Sequence, residues 1–376
     1  IGAFGVVCRV TDSRTQKRYA IKKIKNPFAT GSALRVLREL LYGAKLHHFN
    51  IIALKNMFIS PSYDVYVQTE LMSTDLQFVI NSGQELTFEH VSYFTYQIFR
   101  ALKYLHSTNL VHRDLKPGNL LVNAACDLKL CDFGLCRVLT EQEPCKRLTE
   151  YVTTRWYRPP EVLLGSTHGA KVDIWSAGCI SAELVLRKTL FAGTNQRDQL
   201  ELLFGVLGSS AYSAEFAAGI PPRARAFLER QNREPRPWDE VIPPEAGNTP
   251  FNAEQRARLF ALLDTTLVFD PERRGTAVDC LASPFHEDIA CVDDEPVATF
   301  QFTDTVFDED DAEGIRSELL ALLAEYAEPA TPLKDYAGGA KAAFEEDPFV
   351  PETPSTPATT AVVGEAFERA AGVLPQ

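Results

Sequence analysis

The chain has 376 residues, 45% of them hydrophobic, with a formal charge of −12 at pH 7 and a pI near 5.2. Two or three small domains would fit that length, but the spread of apolar residues over roughly the first 325 fits one two-lobed unit. The acidic balance argues against a nucleic-acid surface as the main binding face and towards basic protein or peptide partners, and the lack of a run of eighteen apolar residues argues against a membrane span.

In chain order, Gly2-Ala3-Phe4-Gly5-Val6-Val7 reads as the back half of a glycine-rich hairpin that lacks its first glycine. The chain starts at Ile1 without a methionine, so a preceding segment and part of the first strand are expected to be missing. β-type segments follow at Gly5–Val10 and Arg18–Ile24, the second carrying Tyr19-Ala20-Ile21-Lys22. Glycine allows close backbone approach to a phosphate, and Lys22 supplies a cation. A helix over 33–45 then places Glu39 seventeen residues beyond Lys22, as a carboxylate able to hold it. After a third β-type segment, Tyr63–Glu70, the pattern turns helical beyond Met72; Phe94, Ile98, Leu102 and Leu105 recur at helical spacing within Thr87–His106. The change near residue 72 predicts a hinge between a mainly β lobe and a mainly α lobe.

Val111-His112-Arg113-Asp114-Leu115-Lys116-Pro117-Gly118-Asn119 is followed by Cys131-Asp132-Phe133-Gly134, with Asp132 eighteen residues after Asp114. Alone, His-Arg-Asp describes a salt-bridged turn, the two-glycine loop any hairpin, and Lys22 beside Lys23 a solvated strand edge. The order of the parts, closing with Pro160-Glu161, resembles that of the protein kinases. The resemblance implies an α+β, two-lobed kinase fold with ATP between the lobes. It makes Asp114 the base for the substrate hydroxyl, Asn119 and Asp132 the ligands of Mg2+, and Lys22, held by Glu39, the contact to the α and β phosphates. Gly2, Ala3, Phe4, Gly5, Val7 and Ala20 would then cover the nucleotide. Main-chain groups of Glu70 and Met72 would meet adenine beside Thr69, and Asp75 would reach the ribose or only cap the next helix. Eight cysteines show no paired metal spacing, and Cys131 and Cys136 bracket Asp132, so reduced thiols in an intracellular protein are expected.

Between Asp-Phe-Gly and Pro160-Glu161 lies Leu148-Thr149-Glu150-Tyr151-Val152-Thr153-Thr154-Arg155-Trp156-Tyr157-Arg158. This segment resembles the dual-phosphorylation lip of the mitogen-activated protein kinases, in the Thr-Glu-Tyr form of the extracellular-signal-regulated kinases and the fungal cell-integrity and mating kinases. Asp173-Ile174-Trp175-Ser176-Ala177-Gly178-Cys179, Asp198-Gln199-Leu200 and Phe269-Asp270-Pro271-Glu272-Arg273-Arg274 extend the resemblance over residues 1 to about 326, fungal type included. By that likeness Thr149 and Tyr151 are the phosphorylation sites, Lys116 steadies the γ-phosphate and Thr154 bonds Asp114. Arg38, Arg113 and Arg137 would gather around phosphothreonine, and Arg155 and Arg158 would receive phosphotyrosine. Departures occur at Thr69, where the osmosensing branch rather than the extracellular-signal-regulated branch has Thr, and at Pro159, Thr153 and Cys136.

The domain reading is a small lobe over 1–72, a large lobe over 73–286 with an activation loop at 132–161 and an insert at about 201–248, and an acidic extension over 287–326. Residues 287–314 hold eleven acidic groups and no Lys or Arg. Within them Asp293-Asp294-Glu295 resembles the family's docking patch for basic peptides, although Cys291 stands where an acidic residue is usual. Residues 327–376, rich in Pro and Ala, read as a disordered tail whose Thr331-Pro332, Thr353-Pro354 and Thr356-Pro357 are of the type a proline-directed kinase modifies. The function expected is an ATP- and Mg2+-dependent, proline-directed serine/threonine kinase, cytoplasmic and nuclear. Its expected partners are an upstream dual-specificity kinase, Ser/Thr-Pro substrates and phosphatases, with no nucleic acid or membrane. The alternative is a catalytically weak scaffold acting through its docking surface. It is disfavoured because Lys22, Asp114 and Asp132 are all retained.

Overall fold

The computed structural model describes residues 5–139, 154–209, 212–247, 251–303 and 311–326. Thr149, Tyr151, Gly2, Ala3, Phe4 and the tail over 327–376 lie outside the described residues.

The small lobe is an antiparallel sheet of β1 (Val6–Thr11), β2 (Arg18–Ile24), β3 (Leu54–Ile59) and β4 (Val65–Glu70) in the order β1-β2-β4-β3, with helix α1 (Ala33–Lys45) between β2 and β3. The register sets Ala20 opposite Thr69 and Lys22 opposite Val67, which brings the cation and the expected adenine-binding edge onto neighbouring strands. Helix α1 forms where Val36, Leu37, Leu40 and Ala44 repeat at helical spacing and are buried on one face. Strand β3 is absent from the sequence reading because a register shift between Leu54 and Asn56 breaks its two-residue alternation. Tyr63 has φ 63° and belongs to the turn before β4, so the strand starts at Val65 rather than at Tyr63.

The large lobe begins with β5 (Thr74–Asp75), α2 (Leu76–Asn81) and α3 (Phe88–Ser107). Thr87 caps α3 through a reciprocal pair with His90, and Phe94, Ile98, Leu102 and Leu105 lie on its buried face as their spacing predicts. Strands β6 (Leu110–Val111), β7 (Leu120–Val122), β8 (Leu128–Leu130) and β9 (Arg137–Val138) frame the loops that carry Asp114 and Asp132: β7 pairs with β5 and β8, and β6 pairs with β9. The remaining helices are α4 (Pro160–Leu164), α5 (Lys171–Leu186), α6 (Gln196–Leu207), α7 (Ala214–Gly219), α8 (Pro222–Leu228), α9 (Trp238–Val241), α10 (Ala253–Thr266), α11 (Ala277–Leu281) and α12 (Ala312–Tyr326). Helix α5 is buried nearly all round, by apolar residues on most of its surface together with Asp173, Ser176, Ser181 and Glu183, which are buried too.

Two contacts outside the cleft hold this arrangement. Arg274 and Glu161 form a two-pronged, fully buried ion pair, 2.7 and 2.9 Å, which ties α4 to the loop after α10. Helix α12 lies not with the large lobe that precedes it but on the small one. Its Ile315, Leu319 and Leu323 join Val36, Leu37, Leu40 and Met57 in one core, and Arg316 stacks on Phe28 and Tyr63.

His286, fully buried, donates from Nδ1 to the Cys280 carbonyl, leaving Nε2 to accept from the Thr95 hydroxyl at 2.9 Å. Burial pushes its pKa down to about 4 from 6.5. The unfolded chain therefore takes up this proton below pH 6.5 while the native state does not until about pH 4, so stability falls as pH drops through that window. The unfolding free energy measured by chemical denaturation is expected to decrease between pH 6.5 and 4, with His286 contributing on the order of 3 kcal/mol at the acid end. His286→Gln should flatten that slope.

Candidate active site

A cavity of about 640 Å³ lies between the lobes, walled above by Gly5, Val7, Ala20 and Lys22 and below by Asn119 and Asp132. Thr69, Glu70 and Met72 form its back edge. Asp75 lines it too and caps α2 by accepting from Phe78 N at 2.8 Å, so the capping role is formed.

The Nζ of Lys22, on β2, lies 2.6 Å from Glu39 Oε1, on α1. Burial opposes the charge on Lys22, but the carboxylates of Glu39 and Asp132 outweigh it and hold its pKa above the ordinary value. Asp132 sits in the left-handed region at φ 65°, a strained setting for a residue with a Cβ. Burial works against its ionisation; Lys22, Arg35 and His112 override this, and its pKa is lowered. Arg35 lies 3.1 Å from Asp132 Oδ2, a contact the sequence reading did not anticipate.

Asp114 is buried just behind the cavity wall. Its Oδ2 accepts from Lys116 Nζ at 2.7 Å and from Asn119 Nδ2 at 3.1 Å, and the same amide nitrogen bonds the Asp114 carbonyl at 2.8 Å. With both amide hydrogens spent on Asp114, Asn119 offers a cation its Oδ1. Asp132 and Asn119 are hard oxygen donors of the kind that, completed by phosphate oxygens and water, suits Mg2+. No cluster of three or more His, Cys, Asp and Glu suited to a metal occurs among the described residues, so the donor set does not fit an all-protein cage. The loop carrying Asp114 is fixed by Asp173 of α5, which accepts from His112 N and Arg113 N at 2.8 Å each and lies 2.9 Å from His106 Nε2.

The expected hydrogen bond from Thr154 to Asp114 is not formed. Thr154 is exposed at the cavity mouth, and Asp114 Oδ2 is engaged by Lys116 and Asn119. Pairing of Val111 with Arg137 across β6 and β9 brings Arg137 next to the Arg113 loop, and Arg38 stands on α1 one residue from Glu39. Arg155 and Arg158 flank the buried Tyr157 in a 3-10 turn. In the acidic segment, Asp293 and Asp294 are exposed, whereas the Glu295 side chain is only 7% exposed and pairs with Lys103 at 3.0 Å and Tyr96 OH at 3.0 Å. Glu295 therefore fastens the segment to α3, which leaves Asp293 and Asp294 exposed of the three acidic residues expected to dock a peptide. Cys131 lines the cavity, but burial, aided by Asp132, pushes its thiol well above the ordinary range and keeps it protonated.

A lysine–glutamate pair across a nucleotide-sized cleft, facing an aspartate–asparagine donor set and a shielded second aspartate, defines a protein kinase. Residues 1–286 match the protein kinase domain family. The chain is 44% identical over 304 residues to "Mitogen-activated protein kinase mpkC" of Emericella nidulans, covering 80% of this chain and 69% of that protein. It is 46% identical over 292 residues to "Mitogen-activated protein kinase 7" of Arabidopsis thaliana, covering 76% of each. It is 43% identical over 321 residues to "Mitogen-activated protein kinase homolog NTF6" of Nicotiana tabacum, covering 82% of this chain and 83% of that one. The chain belongs to the mitogen-activated protein kinase family and is a serine/threonine kinase of signalling that uses ATP with a divalent metal. Its relatives come from a fungus and from plants alike.

The Lys22–Glu39 pair predicts that Glu39→Gln, which keeps the shape but removes the charge, lowers kcat/KM for ATP at least about tenfold in a steady-state assay while thermal unfolding changes little.

Proposed function

We propose that Asp114 is the catalytic base, Lys116 the γ-phosphate contact, Lys22 the α,β-phosphate contact, and Asp132 with Asn119 the ligands of Mg2+. The observation that carries this reading is the 2.6 Å Lys22–Glu39 pair standing across the cavity from Asp132. Lys116 lies against Asp114, so one cation serves both the base and the phosphoryl group passing between it and the nucleotide. The buried setting of Asp114 excludes water from the hydroxyl it would orient. Mg2+, when bound, would neutralise charge on the transferring phosphoryl group. Asp132 and Asn119 would hold it, with the Asn119 amide aligning Asp114 at the same time.

The switch in this reading is phosphorylation of Thr149 and Tyr151 by an upstream dual-specificity kinase, received by Arg38, Arg113 and Arg137 and by Arg155 and Arg158. Ser/Thr-Pro proteins are its substrates, phosphatases reverse it, and the enzyme works in cytoplasm and nucleus. Family likeness supports this, as does the pairing of Val111 with Arg137, which sets Arg137 beside the strand that leads into Arg113. Asp293 and Asp294, between the exposed Val292 and Val297, would take the basic and apolar groups of docking peptides.

The test is to treat the purified chain with an active upstream kinase and assay a Ser-Pro or Thr-Pro peptide. Asp114→Ala should lower kcat by about a thousandfold or more with the fold intact. Thr149→Ala and Tyr151→Phe should each lose at least about tenfold of the activated rate; full activity in either would overturn the two-site switch. Charge reversal at Asp293 and Asp294 should weaken a basic docking peptide, most at low salt, and leave turnover of a short peptide without a docking sequence unchanged. Equal docking affinity across a salt series would remove the docking assignment.

A further inference from the structure

Two charged residues four apart on α1 reach the catalytic centre, so they emerge from one helix face. Glu39 takes Lys22, and one turn earlier Arg35 takes Asp132. The Arg35 Nη2 lies 3.1 Å from Asp132 Oδ2 and 3.3 Å from Oδ1, with both side chains mostly shielded from water. The stem of Arg35 runs against the backbone at Gly134: a Cβ there would come within 2.6 Å of its Cγ and 2.7 Å of its Nε. The glycine that follows Asp132-Phe133 thus leaves the channel through which the guanidinium reaches the carboxylate.

A divalent cation bound by Asp132 would need lone pairs of the same two oxygens. A guanidinium spread over both oxygens and a metal at coordination distance would stand as like charges a few ångströms apart, in a setting with little water to screen them. Lys22 cannot relieve this, because it is itself a cation and is held by Glu39. We propose that Arg35 competes with the divalent cation for Asp132, so that metal binding must displace the guanidinium and the position of α1 sets the metal affinity of the site. The proposal rests on Asp132 as the metal ligand in the function proposed above. It gives α1 two opposed duties: through Glu39 it holds the phosphate-binding lysine ready, and through Arg35 it restrains the metal-binding carboxylate.

The probe is Mn2+, with free ion counted by electron paramagnetic resonance, in the unphosphorylated chain holding a non-hydrolysable ATP analogue. Arg35→Gln is expected to bind Mn2+ about fivefold or more tightly, from removal of one competing charge. Arg35→Lys keeps the charge and should stay nearer wild type. Analogue affinity in EDTA should be alike in all three, which separates competition from a change in nucleotide fit. Unchanged or weaker Mn2+ binding by Arg35→Gln overturns the proposal. A second measurement needs no variant: in wild-type protein the Arg35 Nε–H resonance should move when Mg2+ is added to the analogue complex, and a resonance unmoved at saturating Mg2+ also overturns it. Asp132→Asn is the control for the underlying reading. It should weaken Mn2+ at least about tenfold, and an unchanged affinity there would refute Asp132 as ligand, a failure distinguishable from that of Arg35 alone.

Discussion

A carboxylate with no exposure to water organises this enzyme. Asp173 is fully buried on α5 and keeps its charge because two backbone N–H groups and His106 satisfy it; burial alone would raise its pKa, yet the value is lowered. The two backbone donors belong to His112 and Arg113, and Arg113 is held at φ 68°, where a side-chain-bearing residue does not rest unaided. That turn delivers Asp114 to the position where Lys116 and Asn119 can grip it. A desolvated anion in the helical core thus fixes the backbone of the chemistry, one step removed from any reacting atom.

The cleft follows the same economy of charge. Lys22, Glu39, Arg35 and Asp132 alternate in sign around the inter-lobe space, two contributed by α1, one by β2 and one by the loop after β8. Each lies within reach of a group of the opposite sign, so none is left uncompensated in a poorly hydrated place. The arrangement also means that the active geometry is a property of lobe placement. A shift of α1 would alter the settings of Lys22 and Asp132 together.

Much of this was readable in the residues. Helix α1 and strand β2 emerged with their bounds, because their apolar spacing is regular and no proline interrupts either of them. The kinase family was legible from an ordered set of residues, since phosphoryl transfer demands particular side chains in a fixed order. Strand β3 was hidden by its bulge. Other features depend on partners far along the chain, which local pattern does not reveal. Glu295 looks like its acidic neighbours until Lys103 and Tyr96 meet it from α3, and Arg35 looks like a surface residue of α1 until Asp132 arrives from 97 positions away.

Helix α12 has a consequence for the order in which this protein is made. Its Ile315, Leu319 and Leu323 close a core whose other members, from Ile24 to Val67, leave the ribosome far earlier. The first lobe to be synthesised is therefore the one that cannot finish its interior until late in translation, while the α3 and α5 framework of the second lobe is already complete. The small-lobe core is therefore completed only once α12 has been made. The nascent chain must carry an open sheet-and-helix layer, its apolar face uncovered, past some two hundred and fifty later residues before the closing helix arrives.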